Sequence, residues 1–326
     1  MTEKKYDIAG VGSALLDLTV EADDSLLEEL NLRKGSMELI DPQRSKEILE
    51  KIKNLPMDYT PGGSSANTIA GAARCGASGV FIGTIGNDEH GSIYLTETQK
   101  SGVTPILPTL KSATGHAITF ITPDSERTFA TYLGAAAELS VDAIDEDAIA
   151  SSKILHLEGF LFEPPGVKEA AFHAMDIAKK NNVTISVDLS DPALIERIHD
   201  TFDLILKDYV DIVFVNEEEA KAYTGKEEGD ALNDLSKLCS FAVVKLGARG
   251  SLIKTDRNIY TIPSYPVDVV NTNGAGDMYA SGVLSGISMG FTPEDCGKIG
   301  SYGSSLVVGS NGARISENIN VKDVLK

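Results

Sequence analysis

Apolar positions along the chain follow two rhythms. Short, nearly unbroken runs begin at Tyr6 (YDIAGVG), Gly79 (GVFIGTIG), Lys153 (KILHLEGF), Val183 (VTISVDLS), Asp211 (DIVFVNEE) and Phe241 (FAVVKLG). Each is rich in Val, Ile or Phe, as expected of strands buried on both faces. Longer amphipathic stretches lie between them, such as KEAAFHAMDIAKKN from Lys168 and EEAKAYTG from Glu218. Strand–helix alternation at this spacing predicts an α/β fold with a mainly parallel sheet and helices on both sides.

Two segments break the rhythm. Residues 14–41 begin and end with strand-like alternation. Residues 114–135 look like a hairpin turning at TPDSE, with Pro123 and Asp124 in turn positions. Together they predict a small sheet standing off the main one, a lid inserted into a single domain spanning 1–326. No internal repeat or linker-like composition shift divides the chain further.

Composition narrows the function classes. The net charge is −19, so nucleic acid and anionic membranes are not expected partners. No apolar run reaches the roughly 18 residues of a membrane span, and the N-terminus has no cleavable signal pattern, so a cytoplasmic location is expected. Cys75, Cys239 and Cys296 stand far apart, without CxxC or Cys/His clustering. They are expected to be free buried thiols, neither a zinc site nor a disulfide scaffold. In open α/β sheets ligands sit beyond the carboxyl ends of the strands. Here those ends carry SALLD, EGFLFEPP, DLSDP, NEEE and KLGARG, which predicts a binding crevice.

The sharpest chemical signal is NTNGAGDMYASGVL, beginning at Asn271. Glycines let backbone amides converge on one point, and a helix starting there adds unsatisfied N–H donors and partial positive charge. Gly274, Ala275 and Gly276 therefore read as an anion cradle for a transferring phosphate. Asp277, at the helix start, is placed to take a proton from an attacking hydroxyl. The competing interpretation is an aspartate capping a helix after a Gly-rich turn.

NTNGAGD, with its small-residue helix, resembles the C-terminal signature of the ribokinase family, the PfkB-type carbohydrate and nucleoside kinases. YDIAGVGSALLDL, PGGSSANTIAGAARCG, FIGTIGNDEHG, FVNEEEAKAYTG and VVKLGARGSLI resemble further family elements, in the family's order and across most of the chain. The resemblance implies a ribokinase-like three-layer α/β/α sandwich and ATP-dependent phosphoryl transfer to an alcohol group. It implies Asp17, Gly62, Gly63 and Asn67 as substrate-binding residues. It also implies Asn216, Lys245, Gly247 and Gly250 on the nucleotide, and Glu219 near Mg²⁺. Arg127, in the hairpin, is a candidate for reaching substrate or phosphate. Asp188 and Asp191 flank a position where relatives often carry a phosphate-contacting Asn. Asn87, Asp88, His116 and His156 read as structural.

One departure matters. Asn271 stands where the family has an acid that helps form a monovalent-cation site. A neutral amide coordinates potassium less strongly, so weak or absent potassium activation is expected. Lids in this family often pair, which makes a homodimer through the lid an expectation too. The acceptor is left between a free sugar such as fructose, toward which the reading leans, and a nucleoside such as adenosine. Phe120, Phe129 and Tyr132 would clamp the base of a nucleoside or form the lid's own core. Two other classes remain as alternatives: a nucleotide-binding regulator without catalysis, and a dinucleotide oxidoreductase. Against the second, GVGSALLD carries Leu15 where a GxGxxG fingerprint needs its third glycine.

Overall fold

The computed structural model describes residues 4–124, 126–256 and 258–326. All six apolar runs are strands of one nine-stranded sheet. From edge to edge its order is Asn258–Ile262, Ser251–Thr255, Phe241–Lys245, Ile212–Asn216, Thr184–Asp188, Ser152–Glu158, Tyr6–Val11, Gly79–Ile82 and Thr104–Ile106. The first three pair antiparallel in turn, and the pairings from Phe241–Lys245 onward are parallel.

Alternation along each strand feeds a core on either face. Ile8, Ile154, Ile212, Phe214 and Val243 point one way, toward the helices Ser64–Arg74 and Ala275–Met289. Ala9, Leu155, Leu157, Val213 and Val244 point the other way, toward Pro165–Lys180 and its neighbours. This is the expected three-layer sandwich. The Ser64 and Ala275 helices meet along small residues. A Cβ on Gly71 would lie 2.4 Å from Ser281 Oγ, and that hydroxyl donates to the Thr68 carbonyl at 2.8 Å.

A separate five-stranded sheet has the order Met37–Leu39, Arg127–Tyr132, Gly115–Ile121, Leu15–Glu21 and Asp58–Pro61. Its strands come from the two irregular segments and from residues 58–61, a piece the sequence pattern does not reveal. Gly115–Ile121 and Arg127–Tyr132 pair antiparallel; Ser125, in the expected turn between them, lies outside the described residues. Leu16, Leu18, Val20, Ile118, Phe120 and Ala130 are buried with Leu27, Ile48 and Ile52 of the helices Asp24–Glu29 and Pro42–Ile52. Asp17, Thr19, Phe129 and Thr131 lie on the opposite face. In register, Met37 pairs with Phe129 and Leu39 with Thr131. Met37 and Leu39 are 62% and 61% exposed, so apolar side chains stand open on this face.

Among the described residues, no helix is long and apolar enough to cross a membrane. All three cysteines are buried and free.

Candidate active site

Three parallel strands end in polar residues that share one cavity of about 340 Å³: Asp188, Asn216 and Lys245. The starts of the Ser64 and Ala275 helices close its other side with Gly63, Ser64, Gly274, Gly276 and Asp277, and the small sheet contributes Asp17. Residues distant in sequence thus meet at the carboxyl edge of the sheet, as its topology requires.

Asp277 lies in the first turn of its helix, behind Gly274, which has φ +76°. Ser64 Oγ donates to Asp277 Oδ1 at 2.7 Å, and Asn67 Nδ2 donates to Oδ2 at 2.9 Å. Burial pushes the Asp277 carboxyl above its ordinary range, while these two donors pull it back. A base held in this way has both a fixed aim and an affinity for a proton nearer neutrality.

The cradle needs one correction. The Ala275 amide turns back onto the Thr272 carbonyl at 3.2 Å, so it is not free for a phosphate. The Gly276 and Asp277 amides, in the helix's first turn, have no protein acceptor among the described residues. A Cβ on Gly276 would stand 3.1 Å from Lys245 Nζ, so the missing side chain lets the ammonium come beside these amides. Lys245 also pairs with Asp188 Oδ2 at 2.6 Å. Burial opposes the lysine's charge, but Asp188 and Glu219 outweigh it and raise its pKa.

Asn216 and Glu219 form a capping box. Glu219 N–H donates to Asn216 Oδ1 at 2.9 Å, and Asn216 N–H donates to Glu219 Oε2 at 2.8 Å. Asn216 Nδ2 donates to Oε1 at 2.6 Å. Burial, opposed by Lys245, lifts Glu219 to about 7. Both oxygens of this carboxylate already accept protein hydrogen bonds, and no cluster of three metal-binding side chains exists among the described residues. Hard oxygen donors in this number suit a Mg²⁺ that arrives on phosphates with its own waters, not a caged resident ion.

Other expected residues are placed differently. Asp17 lines the cavity, and its carboxylate lies 2.6 Å from a Cβ position on Gly62. Burial raises it to about 6, against the pull of Arg314. Asn67 does not offer a free amide to substrate, because one end holds Asp277 and the other accepts from Arg314 Nε at 2.8 Å. Arg127 does not line the cavity; it donates to Asn271 Oδ1 at 3.0 Å. Gly247 and Gly250 also lie outside the lining. Asp191 caps the helix Pro192–Arg197, and Asp88 caps Glu89–Lys100. His156 is fully buried, held near 4 by desolvation, and bonded to Ser186 Oγ. Phe120 belongs to the small sheet's core and cannot clamp a base; Phe129 lies on the open face and does not line the cavity.

Four residues escape sequence reasoning. Ser64 and Glu158 occur in the motifs but without an assigned role. Phe160, 46% exposed, is an aromatic wall of the cavity. Arg314 comes from a loop with no motif at all.

The profile of the pfkB family carbohydrate kinases matches residues 30–320. A probable sugar kinase from Rhizobium etli superposes with a TM-score of 0.88 at 32% identity, covering 97% of each chain. Adenosine kinase from Sinorhizobium meliloti superposes with a TM-score of 0.88 at 33% identity, covering 98% of each. The 5-dehydro-2-deoxygluconokinase of Clostridium beijerinckii is 30% identical over 77% of this chain and 78% of its own. With a ribokinase-like fold and a half-buried carboxylate beside free helix-start amides, the chain belongs to the pfkB carbohydrate kinase family, whose members are phosphotransferases acting on hydroxyl groups.

Proposed function

We propose that the chain transfers the γ-phosphoryl group of ATP to a primary hydroxyl of a furanose. The observation that carries this is Asp277: a half-buried carboxylate fixed by Ser64 and Asn67, beside two amides without acceptors and in the same cavity as Asp17. The acceptor oxygen attacks the γ-phosphorus, its proton passes to Asp277, and the bond to the leaving ADP oxygen breaks. The Gly276 and Asp277 amides and Lys245 receive the charge on the moving phosphoryl group. Asp188 and Glu219 are the acids that would face a Mg²⁺ arriving on the phosphates, which would supply further charge neutralisation. Asp17 holds hydroxyls of the furanose. The grouping of Asp277, Gly276, Lys245 and Asp17 around one cavity supports this chemistry over a silent regulator.

The acceptor we favour carries a flat ring, as a nucleoside does. Phe160 offers an exposed aromatic face within the cavity. Phe129, Met37 and Leu39 share the open face of the small sheet with Asp17. Folding of that face over the crevice would cover such a ring and exclude water. A free ketose, the acceptor toward which the sequence leans, leaves these apolar surfaces without a ligand group. A homodimer through the lid is a further expectation, and sedimentation tests it.

ADP release with adenosine, other nucleosides, fructose and 5-dehydro-2-deoxygluconate tests the proposal. Nucleosides are expected to turn over, with Phe160→Ala raising KM about tenfold or more through lost stacking. Turnover of sugars alone, indifferent to Phe160→Ala, would overturn the nucleoside reading while keeping the kinase.

A further inference from the structure

We propose that Arg314 is a positioning residue for phosphoryl transfer: its guanidinium fixes the Asn67 amide, and that amide aims Asp277. The inference rests on the reading of Asp277 as general base. Arg314 Nε donates to Asn67 Oδ1 at 2.8 Å. Asn67 Nδ2 then donates to Asp277 Oδ2 at 2.9 Å. An asparagine amide turned over would set its oxygen against a carboxylate and its NH₂ against a guanidinium. Arg314 therefore removes one of two orientations, and the surviving one presents a donor to the base.

Arg314 acts from outside the crevice. It lines a separate cleft of about 270 Å³ behind the Ser64 helix, with Arg74 and Lys100, whereas Asn67 borders both spaces. Its loop also braces the phosphate side, since the Ala313 carbonyl lies 2.4 Å from a Cβ position on Gly274. Arg314 Nη2 is buried without a protein partner. An incompletely bonded buried guanidinium weakens the fold, so packing alone is a poor account of it. Its charge is felt by Asp17, Tyr94 and Asp277.

The test uses MgATP with adenosine and, in parallel, fructose. Arg314→Ala is expected to lower kcat about tenfold or more, with KM for MgATP within about twofold. Loss of the donor chain raises the Asp277 pKa, so the acid limb of kcat moves to higher pH. Asp188, Lys245, Glu158 and Asp17 also face Asp277 and are unchanged in the variant. Carboxyl ¹³C NMR of labelled aspartates, with Asp277 assigned through Asp277→Asn, reads the same shift without any acceptor. In an Asn67→Ala background, Arg314→Ala should cost less than about twofold more, because both act through one amide. Arg314→Lys, which keeps the charge and most of the bulk, should lose kcat like Arg314→Ala.

A folded Arg314→Ala protein with unchanged kcat and unmoved Asp277 titration would overturn the inference. So would multiplicative losses in the double variant, or full activity in Arg314→Lys. Substantial turnover by Asp277→Asn would instead remove the base itself. An inactive Asp277→Asn beside a normal Arg314→Ala would sink this inference alone.

Discussion

Two helices begin at the same crevice in nearly the same way, yet only one is met there by a carboxylate of the chain's own. Both are entered through a glycine in the left-handed region, Gly63 at φ +92° and Gly274 at φ +76°, and neither has a side-chain cap. At the Ser64 helix the chain supplies its own anion. Ser65 N–H donates to Glu158 Oε2 at 2.8 Å, and Ser13 N–H to Oε1 at 2.9 Å. At the Ala275 helix the Gly276 and Asp277 amides wait for an acceptor from outside. A glycine-entered helix start is therefore not in itself a phosphate site; what distinguishes the two is whether a buried carboxylate already occupies the position.

The largest test of this contrast is Asp277→Asn. It keeps the shape of the free helix start and removes only the proton acceptor, so kcat should fall at least about a hundredfold with MgATP binding largely kept. Near-normal turnover would break the assignment. Gly276→Ala should come next, with kcat down about tenfold in a folded protein. The new methyl displaces the mobile end of Lys245 from the amides. The corresponding test at the occupied start is Glu158→Gln, which faces one N–H with another donor. It should lower the melting temperature by a few degrees and leave kcat within about threefold. A large loss of kcat with unchanged stability would reverse the roles of the two starts.

A smaller effect concerns pH. Asp17 and Glu219 have folded pKa values of about 6 and about 7, above those of free carboxyls. Folding thus favours their protonated forms. Their contribution to stability is fully present below the unfolded pKa, near 4, and is lost as pH rises through about 6 to 7. From pH 5.5 to 8 the nucleotide-free protein should lose more melting temperature than Glu219→Gln does, because His156, held near 4, shifts both proteins alike in the opposite sense. Equal trends in the two proteins would contradict the assignment. The smallest effect belongs to Asn271. Its Nδ2 donates to the Asn311 carbonyl at 3.0 Å, and its Oδ1 accepts from Asn273 N–H and Arg127. An amide N–H thus meets a carbonyl that a cation would otherwise need to satisfy. Exchanging sodium for potassium should change turnover less than about twofold, and Asn271→Asp should enlarge the difference.

The main sheet was legible because its central strands are apolar on both faces, and a continuous Val/Ile/Phe run has few other uses. The strand 58–61 was not: four residues, DYTP, ending in Pro61, are too short a run to carry a periodic signal. Phe120 and Phe129 look equivalent in sequence, and only the hairpin register sends one to the core and the other to the open face. The anion cradle could be read as a motif, but the diversion of the Ala275 amide to Thr272 depends on turn geometry. Arg314 was illegible for a different reason. Its partner is 247 positions away, and nothing local in NGARI marks a long-range contact.

The seam between the Ser64 and Ala275 helices has a wider consequence. Because Gly71 and Ser281 bring the two backbones together at a distance no larger residue tolerates, the span between alcohol and phosphorus behaves as a ruler cut into the scaffold. On the proposed function, its length is set a full turn or more below the reacting atoms. Alterations in that joint would miscalibrate the reaction while leaving every chemical group intact.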